Sequence, residues 1–185
     1  MIPSIDTRLA SMASAVAGVI APALGTTNPF ASEQAALLVG HLQVMRVQQG
    51  AAEEFEQLDH NRTRAFAREL ADAAEGGAAV QAAATAIRAT LDAPVPFTIT
   101  QVRTAQDALA AAIGDAITAA AVDGTDAYVA ASQAIVIRQE RAQSIRFRSY
   151  FAVMGYEDGS RPIPPMEQMM DEFRAEYGAP AQVGS

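Results

Sequence analysis

Residues 29–75, PFASEQAALLVGHLQVMRVQQGAAEEFEQLDHNRTRAFARELADAAE, decide the fold. Asn28-Pro29 places a capping residue before a proline at the first helical position, a start signal. Only the isolated Gly40 and Gly50 then interrupt helix-compatible residues before Gly76-Gly77. Ala35, Leu38, Leu42, Met45, Ala52, Phe66, Leu70 and Ala73 fall on one stripe at helical spacing. A straight helix of this length would measure about 70 Å. That exceeds the width of a domain of this size, so a bend near Gly50 is expected, with other helices packed along the stripe.

Upstream, Ile5, Leu9, Met12, Val16, Val19 and Ala23 alternate steps of four and three residues, the pattern of an amphipathic helix. Ala21-Pro22-Ala23 has the small-x-small form of a signal-peptide cleavage site. Asp6 offsets Arg8, however, and the stripe is amphipathic, so residues 9–24 read as a cytoplasmic first helix capped by Ser4 or Asp6. No unbroken apolar run reaches the roughly eighteen residues that a membrane span needs.

Downstream, residues 78–91 predict a short alanine-rich helix closed by Asp92 and the Pro94-Val95-Pro96 linker. Thr98 to Gln101 reads as a capping box opening a fourth helix, with Ile99, Val102, Leu109, Ile113 and Ile117 as its stripe and Asp123-Gly124 as its end. Thr125-Asp126 opens a fifth helix running to Met154, with Gly155 as its stop. The expectation is an all-α, single-domain antiparallel bundle of five to six helices. It has a body at 1–155, a loop at 156–163, an amphipathic helix at 164–178 and a flexible tail at 179–185. Sustained period-2 alternation is absent, so no strand is expected.

Composition narrows the chemistry. The 185 residues suit one well-buried core, and 42 alanines predict closely spaced helices. A net charge of −8 disfavours nucleic acid as the main partner. The lack of cysteine excludes disulfides, thiolate metal sites and a cysteine nucleophile. Phosphate loops and nucleophile elbows are missing. A metal would have to recruit His41, His60, Glu53, Glu54, Glu56 and Asp59, and the Glu56-to-His60 step is not the paired Glu-x-x-His of a di-iron bundle. His60 reads as solvated and His41 as hydrogen-bonded at the core edge. No metal, cofactor or catalytic residue is assigned.

Two stretches read as recognition surfaces. Arg138, Arg141 and Arg148 share one side of the fifth helix, suited either to bidentate contact with an anion or to the helix C-terminus and surplus carboxylates. Met166, Met169, Met170, Phe173 and Tyr177 form one face of the last helix. Methionine faces adapt to partners, although the same face could close over the protein's own core. The preceding YEDGSRPIPP, with three prolines, suits a helix carried away from its bundle or swapped onto a second copy.

Arg8-Leu9, Ser11-Met12, Val19-Ile20, Pro22-Ala23-Leu24, Glu33-Gln34, Leu37-Leu38-Val39 and His41-Leu42 carry a resemblance over roughly the first 70 residues. They resemble small helical bacterial proteins of unassigned function, similar to accessory proteins encoded beside aminoglycoside-phosphotransferase-like kinases and acyl-CoA dehydrogenases. The resemblance implies a non-catalytic partner of a kinase acting on hydroxyacyl-CoA. The leading expectation is therefore a non-enzymatic cytoplasmic accessory or scaffold protein that binds another protein. The alternative is a small-ligand binder or enzyme with an anion site near Arg141 and Arg148.

Overall fold

The computed structural model describes residues 2–25, 28–154, 159 and 162–178, and among them the chain is all-α. Ile5–Ala15 (α1), a π-helical turn Val16–Ile20 and Ala21–Leu24 (α2) follow without a break. Pro29–Gln48 (α3), Ala52–Asp72 (α4), Ala78–Leu91 (α5), Ile99–Asp123 (α6), Asp126–Phe151 (α7) and Met166–Tyr177 (α8) complete the order, with a 3₁₀ turn at Ala152–Met154. The expected bend at Gly50 is a full interruption: α3 stops at Gln48, and Gln49-Gly50-Ala51 forms a turn before α4. This split adds a helix to the five or six expected. Gly155, most of the 156–163 loop and the 179–185 tail lie outside the described residues.

Local capping follows the sequence. Ser4 accepts from the Thr7 amide at 3.1 Å and Asn28 from the Ala31 amide at 3.0 Å. Thr98 and Gln101 form a complete capping box. The π-turn sits just before Pro22, where the Ala21 amide reaches back to the Val16 carbonyl. A proline has no amide to donate, so the turn widens to re-register the ladder.

The chain divides into two compact units. Unit 1 comprises Met1–Ala52 and Arg146–Glu167; unit 2 comprises Glu53–Ile145 and Gln168–Ser185. The division does not follow the expected body at 1–155, since each unit joins two distant stretches.

Unit 2 holds the larger core. Phe66, Ala67, Leu70 and Ala71 of α4 pack with Ala84, Ile87 and Leu91 of α5 and Leu109, Ala112, Ile113 and Ala116 of α6. Each fully buried Leu, Ile or Phe here contributes roughly 1.5–3 kcal/mol by leaving water. The start of α5 has no cap of its own, and Asp123 at the end of α6 supplies one, accepting from the Ala79 and Val80 amides at 2.8 and 3.0 Å. An isolated antiparallel bridge, Gly76 to Gly124, ties the same corner. A Cβ on Gly76 would lie 2.6 Å from the Asp123 carbonyl oxygen, so this approach requires glycine.

Unit 1 buries less. Leu9, Ala13 and Leu42 form its compact apolar cluster, Arg46 pairs with Asp6 at 2.9 Å, and the Gln48 amide donates to the Tyr150 carbonyl at 2.8 Å. Most of the expected α1 stripe lies outward: only Leu9 and Val16 are buried, and Ile5, Met12, Val19 and Ala23 are exposed. So are Leu38 and Met45 of the expected spine, while Ala35, Leu42 and Val44 face inward. The reason is compositional. α3 carries apolar residues on every side, so no single stripe marks its buried face.

Among the described residues, Ile5–Leu24 and Ile99–Asp123 are each long and apolar enough to cross a membrane by length and composition. Neither contains the unbroken apolar run sought in the sequence; alanine raises their mean hydropathy. In α6 the apolar positions Val102, Leu109 and Ile113 serve the unit 2 core, which accounts for its composition.

Candidate functional site

The polar residues that unit 2 buries gather around α4. Asp59 and Thr63, one turn apart, face α6 and α7. Arg62 Nε donates to Asp59 Oδ1 at 2.9 Å, and Gln143 Nε2 donates to the same oxygen at 2.8 Å. Gln106 Nε2 donates to Asp59 Oδ2 at 3.1 Å and to Thr63 Oγ1 at 2.7 Å. A half-buried carboxylate keeps its charge at little cost where charge and hydrogen bonds are supplied together, and this cluster supplies both. It joins three helices through directional bonds and so fixes their register.

His60, adjacent in sequence, stands near Gln106 and Asp59 of this cluster. It is only 4% exposed and lines a cleft of about 400 Å³ with Gln57, Asn61, Arg64, Val95, Pro96, Phe97 and Val102. Gln57, His60, Asn61 and Arg64 are spaced 0, 3, 4 and 7, so α4 forms the polar wall. The linker between α5 and α6 forms the apolar wall, with the Phe97 amide donating to Gln101 Oε1 at 2.8 Å. Neither ring nitrogen of His60 has a hydrogen-bond partner among the described residues. Burial pushes its pKa below the ordinary 6.5; nearby Gln106 and Asp59 work against that shift, and Arg64 reinforces it. Gln106 is thus close enough to favour the protonated ring without reaching hydrogen-bonding geometry, and the geometry decides the bonding. Arg64 donates to the Leu91 carbonyl at 2.7 Å and has no carboxylate partner among the described residues.

The two histidines exchange the places read from the sequence: His41 is exposed and His60 is buried. His60 looked solvated because it lies off the apolar stripe of α4. It shares a cleft with the linker and Val102, a neighbourhood that no local pattern announces.

The arginines read as an anion site are divided between the two units. Arg138 pairs with Glu69 and belongs with Arg141 to unit 2, whereas Arg148 belongs to unit 1. Arg141 is exposed and Arg148 half-buried. The methionine face of α8 takes the alternative left open by the sequence. Met169, Met170 and Phe173 are buried, and Met166 and Tyr177 are half-buried. Phe173 meets Phe55 of α4 edge to face at 5.6 Å. Arg174 grips Glu54 through two bonds of 2.7 and 3.0 Å, and Asn61 donates to the Tyr177 carbonyl at 3.0 Å. The Glu54 carboxyl is held below its ordinary pKa by Arg174, and Glu56 likewise by Arg103. An α8 standing clear of its own chain is therefore not what the structure contains. Arm residues 155–158, 160 and 161 lie outside the described residues.

Among the described residues no group of three or more His, Asp or Glu side chains stands together as a metal site would require. No family model, curated protein or solved structure matches this chain.

Proposed function

We propose that the protein is a non-enzymatic helical accessory protein that works in the cytoplasm by binding another protein through unit 1. The supporting observation is the apolar surface this unit leaves in solvent: Met12 and Val19, Phe30 of α3, and Leu38 and Met45, which lie two turns apart on α3. Where such side chains adjoin, they offer a partner an apolar contact. A protein fits better than a bilayer as the occupant. The chain carries −8 net charge, and Arg8 is the only basic residue within Ile5–Leu24, so attraction to anionic lipid is weak. A kinase of the phosphotransferase-like class or an acyl-CoA dehydrogenase is the partner implied by the N-terminal resemblance, and that identity rests on the resemblance alone.

The test compares the wild-type chain with a Leu38→Ser/Met45→Ser variant as bait for the same lysate. A captured protein is then purified and titrated against both. Binding by the wild type and loss in a variant with unchanged circular dichroism supports the reading. Equal binding by the two chains, or flotation of the wild type with phosphatidylcholine/phosphatidylglycerol vesicles, overturns it.

A further inference from the structure

We infer that unit 2 pairs with a second copy of this chain through the outward face of α7, the two helices running antiparallel. The surface lies in unit 2, so it stands or falls separately from the partner reading for unit 1. α7 distributes its side chains against the ordinary amphipathic order. Ser132, Gln139 and Gln143 are among its buried residues in unit 2, while Ile137 stands 67% exposed. Asp126, Ala130, Gln133, Ala134, Ile137 and Arg141 are all exposed and fall within an arc of about 100° on one side of the helix. Beside this arc runs an apolar groove of about 300 Å³ between α7 and α6, walled by Ile117, Ala121, Val129 and Val136. Gln133 and Ile137 belong to both the arc and the groove.

Charge says what covers this face. Asp126 and Arg141 close its two ends, about 22 Å apart along the helix. Neither has an ion-pair partner among the described residues. An antiparallel pairing centred between Gln133 and Ala134 brings Asp126 of each copy against Arg141 of the other. The same register sets Ile137 of each against Ala130 of the other, beside Val129 and Gln133 at the groove. The match is self-complementary, as a two-fold interface requires. A parallel pairing would instead set Asp126 on Asp126 and Arg141 on Arg141. Arg138 keeps Glu69 of its own chain and Glu140 comes opposite Ala127, so no like charges meet along α7. Alanine at 130 and 134 lets the axes approach to about 8 Å, and a shallow crossing of about 20° keeps both charged ends in reach.

The full-length chain is followed by analytical ultracentrifugation over a range of protein concentrations. The expected result is a mass that rises reversibly from 19.4 kDa toward twice that value. Arg141→Asp should weaken the dimer by about tenfold or more, since two-fold symmetry makes each like-charge contact twice. The exchange Asp126→Arg/Arg141→Asp should bring affinity back to within about threefold of the wild type, because it reverses both partners of each pair. Ile137→Asp, at a side chain exposed in the single chain, should leave circular dichroism unchanged and hold the protein monomeric. That variant also lets any association through unit 1 be measured separately. Leu38→Ser/Met45→Ser should dimerise as the wild type does. A chain that stays monomeric at every concentration overturns the assignment. So does a dimer that Ile137→Asp or Arg141→Asp leaves intact, that the exchange fails to restore, or that Leu38→Ser/Met45→Ser abolishes.

Discussion

The core of unit 2 and the outward face of α1 and α3 in unit 1 spend similar residues in opposite ways. In unit 2, Phe66, Leu70, Ile87, Leu109 and Phe173 are each at most 5% exposed. In unit 1, Val19, Phe30, Leu38 and Met45 are about half exposed or more. The difference lies in the polar residues. α4 alternates apolar positions with Asp59, Arg62, Thr63 and Glu69, so its faces are distinct, and Asp59, Arg62 and Thr63 find directional partners. α3 has no such contrast, and its apolar residues exceed what its small core can cover. In this chain the helix with distinct faces builds the larger core, and the one apolar on every side leaves part of its surface in solvent.

The largest effect expected from breaking this contrast is at α8. Phe173→Ala removes a ring packed on Phe55 from a site 1% exposed and should cost about 3–5 kcal/mol. Phe30→Ala, the same change at a residue 71% exposed, should stay within about 0.5 kcal/mol. Urea unfolding monitored by circular dichroism separates the two. Equal effects would mean that α8 leaves unit 2 in solution and that its methionine face is available to a partner after all.

That outcome also marks how far the sequence could be read. Local signals came through: the Ser4 and Asn28 caps, the Thr98–Gln101 box and the apolar positions Val102, Leu109 and Ile113 all need only neighbours along the chain. What failed depends on distant residues. Asp123 caps a helix that starts 45 residues earlier in the sequence, at Ala78, and reads locally as no more than a helix end. The methionine face of α8 is the same whether covered by its own chain or by another. The cleft offered one partial signal, the 57, 60, 61 and 64 polar face of α4, but its apolar wall follows a proline linker whose path no periodicity records.

An intermediate effect is expected with pH, and it sharpens the contrast within α4. His60 has a folded pKa below its unfolded value of about 6.5, so the unfolded chain binds a proton that the folded chain resists. The stability tied to its neutral ring is complete above about pH 6.5 and declines as pH falls toward the folded pKa. Asp59, Gln106 and Arg64 are the polar and charged groups that act on the ring. Glu54 and Glu56, held low by Arg174 and Arg103, act in a separate window below their ordinary 4.5. The denaturation midpoint should thus fall between pH 7.5 and 5.5 in the wild type and remain level in His60→Gln. A decline of equal slope in both would assign it to other groups.

The smallest stability effect is expected on the outward face of unit 1. Leu38→Ser/Met45→Ser exchanges two exposed apolar side chains for hydroxyls that water can satisfy. Neither change opens a cavity or strands a polar group, so each should fall within about 0.5 kcal/mol of neutral. Ala35→Ser is the control on the same helix, placing a hydroxyl at a position 7% exposed. It should cost more, because a buried hydroxyl without a partner loses its hydration. If Leu38→Ser/Met45→Ser unfolds as readily as Ala35→Ser, then Leu38 and Met45 are covered in solution by the protein itself, by self-association or repacking. The midpoint measured at two protein concentrations separates these cases, since only self-association makes it rise with concentration.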